Sequence, residues 1–165
     1  MKLPFLQFGR SSEEESSPKA GFRVVVLHDD HLTAQRGRLV ARGIAREMGV
    51  DDQCETALWN VELLGTPFGR AAALDASAAD IVIVALRTAD GFSLDLKIWL
   101  RRWLANTKHN SVALIAVFEN YDEPAAANAR AFLERAALGA GKECFNQPAE
   151  SSAKNGKPHE FLWVL

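Results

Sequence analysis

The chain has 165 residues and a formal net charge of −2, with no block of Lys or Arg, which argues against a nucleic-acid or membrane-surface protein. A chain of this length suits one domain with flexible ends and buries about 70% of its unfolded surface, so it needs neither disulfides nor metal to fold. Its two cysteines, Cys54 and Cys144, lack metal-ligand spacing and read as reduced thiols of a cytoplasmic protein.

At the start of the chain, Leu3–Phe8 is apolar but interrupted by Pro4 and Gln7, and is too short for a signal peptide. Ser11–Pro18 (SSEEESSP) is acidic, polar and free of aromatics, a linker that cannot bury enough apolar surface to order itself. Leu3–Phe8 is then either a frayed terminus or a docking peptide, because Leu3, Phe5, Leu6 and Phe8 are costly to leave in water. No run approaches transmembrane length.

From Gly21 onward β and α patterns alternate. Phe22–His28 is the first strand, its core Val24–Leu27 a continuous apolar run. A helix follows, striped by Leu32, Leu39, Val40, Gly43, Ile44 and Met48 and stopped by Gly49. Ala57–Leu64 alternates apolar and polar residues, as in a strand near a sheet edge. Thr66-Pro67 marks a second helix start. Ile81–Leu86 and Val112–Phe118 are apolar, β-branched runs of the kind covered by helices on both faces. Between them Leu96, Trp99, Leu100, Trp103 and Leu104 stripe a third helix, with Lys97, Arg101 and Arg102 on its other face. A fourth helix, striped by Ala125, Ala129, Phe132, Leu133 and Ala136, begins at Asp122 and closes near Gly139 or Gly141. Glu143–Asn146 is a fifth, short strand. The tryptophans take ordinary packing places.

Strand–helix alternation with right-handed crossovers predicts an α/β fold: a three-layer αβα sandwich on a five-stranded parallel sheet of order 2-1-3-4-5, the flavodoxin-like arrangement. The domain spans residues 21–147, between the arm and linker of 1–20 and a polar loop and apolar tail over 148–165. Five large apolar residues, Phe161–Leu165, end the chain and need cover, from the domain itself or from a partner.

Ligands of such sheets bind beyond the carboxyl ends of the strands. Three carboxylates fall there, Asp29 and Asp30 after the first strand and Glu119 after the fourth, with His28, His31, Arg87, Thr88, Asp90 and Asn120 in the same loops. The carboxylates suit weak binding of a hard cation such as Mg²⁺; without one they raise each other's pKa. Alternatively, Asp29 or Asp30 caps the first helix, or Arg87 neutralises the cluster. The two histidines are candidate ligands or acid–base groups, or else solvated. The sequence contains no Gly-x-Gly-x-x-Gly, no phosphate-loop Gly-Lys-Ser/Thr, no Cys-x-x-Cys and no nucleophile elbow.

Val24–Asp30 (VVVLHDD) before a helix, Asp80–Ala85 (DIVIVA) before Asp90-Gly91, and Gly139–Pro148 (GAGKECFNQP) together resemble a response-regulator receiver domain over about Phe22 to Pro148. In receivers an acidic pair after strand one binds Mg²⁺, strand three ends in a phosphorylated aspartate, and a lysine precedes the strand-five proline. Here Ala85 stands in place of that aspartate and Gln147 in place of the lysine, so the resemblance implies a receiver that cannot be phosphorylated. Ala79–Leu104 is also similar to the third strand and following helix of NAD(P)H-dependent flavin reductases, with Leu96-Lys97 matching their "LK" helix. Their flavin phosphate rests on a Ser/Thr/Gly-rich loop, whereas this loop reads His28-Asp29-Asp30-His31, which would repel a phosphate. The expectation is a non-enzymatic signalling or interaction module, with no cofactor expected, FMN not expected in the usual mode and weak Mg²⁺ binding allowed. Its contacts are Leu3–Phe8 or Phe161–Leu165, with a protein partner or a second copy. The alternative is a flavodoxin-like small-ligand enzyme, such as a flavin-dependent oxidoreductase.

Overall fold

The computed structural model describes residues 21–107, 112–120 and 122–148; Leu3–Phe8, Ser11–Pro18 and Phe161–Leu165 lie outside the described residues. Its elements in order are β1 (Arg23–His28), α1 (His31–Glu47), β2 (Glu55–Asn60), α2 (Phe68–Ser77), β3 (Ile81–Leu86), α3 (Leu94–Asn106), β4 (Ala113–Phe118), α4 (Pro124–Gly139) and β5 (Glu143–Pro148). All strand pairings are parallel, in the order β2-β1-β3-β4-β5. The expected flavodoxin-like sandwich is the observed one. Among the described residues no helix is long and apolar enough to cross a membrane, and both cysteines are free.

Side chains alternate across each strand. Val25, Leu27, Val82, Val84, Leu114, Ala116 and Phe118 face α2, α3 and α4, while Val24, Val26, Ile83, Ala85, Ile115 and Val117 face the layer of α1. The third-helix stripe holds in full: Leu96, Trp99, Leu100, Trp103 and Leu104 are all buried. Ser93 caps α3 by accepting from the Leu96 amide at 3.2 Å, and Trp99 Nε1 donates to the Gly69 carbonyl at 2.7 Å, tying α3 to α2.

Four expectations need correction. The first-helix stripe is misplaced: Leu32, Leu39 and Met48 are exposed, and the buried face is Thr33, Ala34, Gly37, Ala41, Ile44 and Ala45. Small residues win because the sheet face beneath carries β-branched side chains, and a helix of small residues can approach them closely. The second strand stops at Asn60, not Leu64; the Asn60 side chain accepts from the Glu62 amide at 2.8 Å and turns the chain into a 3-10 turn over Val61–Leu63, the local competition that short polar side chains offer to a ladder. In α4 the cap is Glu123 with Pro124 first in the helix, and Ala126 rather than Ala125 is buried. β5 also runs two residues further than expected, to Pro148.

Gly49 and Gly141, with φ of +69° and +68°, end α1 and α4 in matching fashion. The amides of Val50 and Lys142 return to the carbonyls of Ala45 and Ala137, each at 2.8 Å, the six-to-one bond of a Schellman ending.

The close approach of α1 yields a paired test. A Cβ at position 37 would lie 2.3 Å from Val26 Cγ1, and Val26 is fully buried with no room to yield. Gly37→Ala gains about 1 kcal/mol of helix propensity but overpacks the interface, which costs about 1–3 kcal/mol, so its Tm should fall. A Cβ at position 43 meets nothing within 4 Å, so Gly43→Ala should raise Tm by about 2–4 °C, the equivalent of 1 kcal/mol in a chain this long. Thermal melts of the two variants check the opposite signs.

Candidate functional site

The strands deliver the candidate residues to one edge. His28 is level with Ala85, and Ala85 with Val117, so the segments that follow β1, β3 and β4 emerge side by side.

Asp29 turns back across the edge. Its two carboxylate oxygens accept from the Arg87 amide at 3.2 and 3.0 Å, and Oδ1 also accepts from the Thr33 hydroxyl at 2.8 Å. Asp30 is the N-cap of α1. It accepts from the Thr33 amide at 2.8 Å while Thr33 Oγ1 accepts from the Asp30 amide at 3.1 Å, a reciprocal capping box of the kind that satisfies helix-start donors. The Thr33 amide, and secondly the Arg87 guanidinium, hold the Asp30 carboxyl below its ordinary pKa against partial desolvation.

Arg87 joins the carboxylates. Its Nη2 lies 2.7 Å from Asp30 Oδ2 and its Nε 3.7 Å from Glu119 Oε2. Glu119 Oε1 lies 2.9 Å from Arg36 Nη1, an ion contact without the alignment of a hydrogen bond. The carboxyl edge is therefore a chain of alternating charge: Asp30, Arg87, Glu119, Arg36.

The other candidates stand around this chain rather than in it. His28 is half-buried at the end of β1 and its Nδ1 has no hydrogen-bond partner among the described residues. Burial pushes its pKa below the usual histidine value, outweighing the upward pull of Asp29 and Asp30. His31 is exposed, with Nε2 3.0 Å from Gln35 Nε2. Thr88 accepts the Gly91 amide on its carbonyl at 3.2 Å, and Asn120 the Glu123 amide at 3.2 Å. Asp90 is exposed in the 3-10 turn Ala89–Gly91. Thr33 and Arg36 were missed by sequence reasoning. Thr33 had a signal, the Asp-x-x-Thr spacing of a capping box; Arg36 had none, since its partner arrives from a distant strand.

Among the described residues no three His, Cys, Asp or Glu side chains are grouped as metal ligands. A cation on the three carboxylates would have to displace Arg87 from two of them.

No protein-family model matches the chain, and no curated protein matches it. Among solved structures the chain is similar to a Streptococcus pneumonia TIGR4 flavodoxin, at 18% identity and a TM-score of 0.48, over 79% of this chain and 88% of that one.

Two measurements probe the edge. Millimolar Mg²⁺ should leave the parent Tm unchanged but raise that of Arg87→Met by about 2 °C or more, because removing the guanidinium leaves Asp30 and Glu119 open to a cation. Equal shifts in both proteins would show that Arg87 does not occupy the cation's place. Separately, unfolded His28 takes up its proton at about pH 6.5, before folded His28 does. Stability should therefore be full above that pH and fall as the pH drops toward the folded value. His28→Gln should flatten that part of a Tm profile taken from pH 7.5 to 5; an unchanged slope would assign it to other groups.

Proposed function

We propose that this chain is a non-enzymatic interaction module on a flavodoxin-like fold, a receiver-like domain that has lost its phosphoacceptor. The observation that carries this reading is the filled start of α1. A helix N-terminus offers free amides and a positive dipole end to a ligand phosphate. Here Asp30 already accepts the Thr33 amide at 2.8 Å, and Asp29 spans to the Arg87 amide. A phosphate arriving at this place would meet two carboxylates and would have to expel one.

Support for the missing phosphoryl chemistry comes from β3. Ala85, level with His28, is buried with 1% exposure and has no carboxylate to accept a phosphoryl group. The neighbouring acids are engaged with Arg87, Arg36 and Thr33 rather than gathered on a common point. The same architecture hosts many unrelated functions, so the reading rests on these residues and not on the fold. Protein contacts, to a partner or a second copy, are assigned to Phe161–Leu165 and, where the chain itself does not hold it, to Leu3–Phe8.

The test has two arms. The purified chain should be colourless and should not quench added flavin mononucleotide at micromolar concentrations. Incubation with acetyl phosphate should leave its intact mass unchanged. Saturable flavin quenching would favour the small-ligand enzyme instead, and an acid-labile gain of one phosphate would show that another carboxylate has taken over the phosphoacceptor role.

A further inference from the structure

At the opposite end of the molecule the charges are arranged the other way. Parallel strands run one way and the helices between them return, so the C-terminal ends of α3 and α4 lie at the amino edge of the sheet, where β1 begins. A cavity of about 730 Å³ opens there between the two helices, lined by Arg101, Leu104, Phe132, Arg135, Ala136 and Ala140 among others. Leu104 is buried and Phe132 and Ala136 are half-buried, giving it an apolar floor. Arg101 lies over the Phe132 ring at 5.1 Å, and Arg135 Nε donates to its own helix at the Ala131 carbonyl, 3.2 Å away. Among the described residues neither arginine has a carboxylate partner, although the chain as a whole carries a net charge of −2.

We infer that this α3–α4 groove docks the chain's own N-terminal arm, with Leu3–Phe8 on its apolar floor and the Glu13-Glu14-Glu15 run against Arg101 and Arg135. The arm has the composition the groove calls for, four large apolar residues joined to three successive carboxylates, and it starts from the same edge. Five residues, 16–20, separate Glu15 from Gly21 and extend to about 17 Å at most. One helix layer stands about 10 Å off a sheet, and strands are about 4.8 Å apart, so the carboxylates reach the arginines. Docking would cover an apolar segment that is costly to leave in water, and each guanidinium would gain a carboxylate. The inference is independent of how the carboxyl edge is read.

Limited proteolysis of the full chain tests it. Chymotrypsin cuts after Phe5, Leu6 and Phe8, and in the intact protein these cuts should be about tenfold slower than in a free peptide of residues 1–18, because cleavage follows the undocked fraction. Arg101→Glu/Arg135→Glu should abolish the protection, as should Glu13→Lys/Glu14→Lys/Glu15→Lys, which alters no residue of the strands and helices. Combining the two sets should restore it. Cleavage at the free-peptide rate in the parent chain, or protection that survives both reversals, overturns the inference. Protection that grows with protein concentration, in step with dimer in sedimentation velocity, places the arm on a second copy and overturns docking within one chain.

Discussion

Arg87 is the residue on which the carboxyl edge depends. The sheet order brings carboxylates from two strand ends together, and unscreened acids at such spacing raise one another's pKa. Arg87 meets this in two ways at once. Its main-chain amide satisfies Asp29, and its guanidinium spans Asp30 and Glu119. Arg36 adds a second cation on Glu119. Two cations then face three carboxylates, and the remaining negative charge sits beside the positive end of α1. A planar guanidinium suits the task because its donors diverge toward two acceptors; a lysine would act as a single point charge.

That arrangement has a chemical consequence. The crevice of an open α/β sheet is useful to a ligand when its amides and charges are left unsatisfied by the protein. Here Asp29, Asp30, Arg87 and Glu119 are engaged by one another or by Thr33 and Arg36. His28 stands apart: its buried Nδ1 lacks a partner among the described residues, and its burial favours the neutral ring. It makes the edge sensitive to acid, because the neutral ring is the form that burial favours.

Much of the fold could be read in the sequence because the strands are short apolar runs with little alternative use. Val24–Leu27, Ile81–Leu86 and Val112–Phe118 fix three central strands, and the wetter pattern from Ala57 marks the edge strand β2, which ends at Asn60. The α3 stripe was legible because its buried residues are the large ones. The α1 face was not, because its contact with the sheet is made by alanines and Gly37, which hydrophobicity alone ranks below Leu32 and Leu39. The site candidates were placed by topology, and so they do share an edge. Their pairing depends on Arg36, a helix residue whose reach to Glu119 is a tertiary fact with no local signature.

The two ends of the sheet are chemically opposed, and the opposition follows from the parallel topology. Loops after the strands gather at one end, and here they bring acids that the protein neutralises with its own arginines. The C-terminal halves of α3 and α4 gather toward the other, and there Arg101 and Arg135 line the groove with no carboxylate partner among the described residues. Exposed arginines on helix surfaces are ordinary, so their presence alone would say little. What distinguishes the groove is the union of those cations with an apolar floor, and an arm within reach that carries acids and aromatics in one segment. A guanidinium held only by a ring face or one carbonyl keeps most of its capacity for a carboxylate, and an apolar floor gains only from an apolar visitor. A segment that offers both is held by two interactions that respond to different perturbations: salt weakens the ionic one and leaves the apolar one in place.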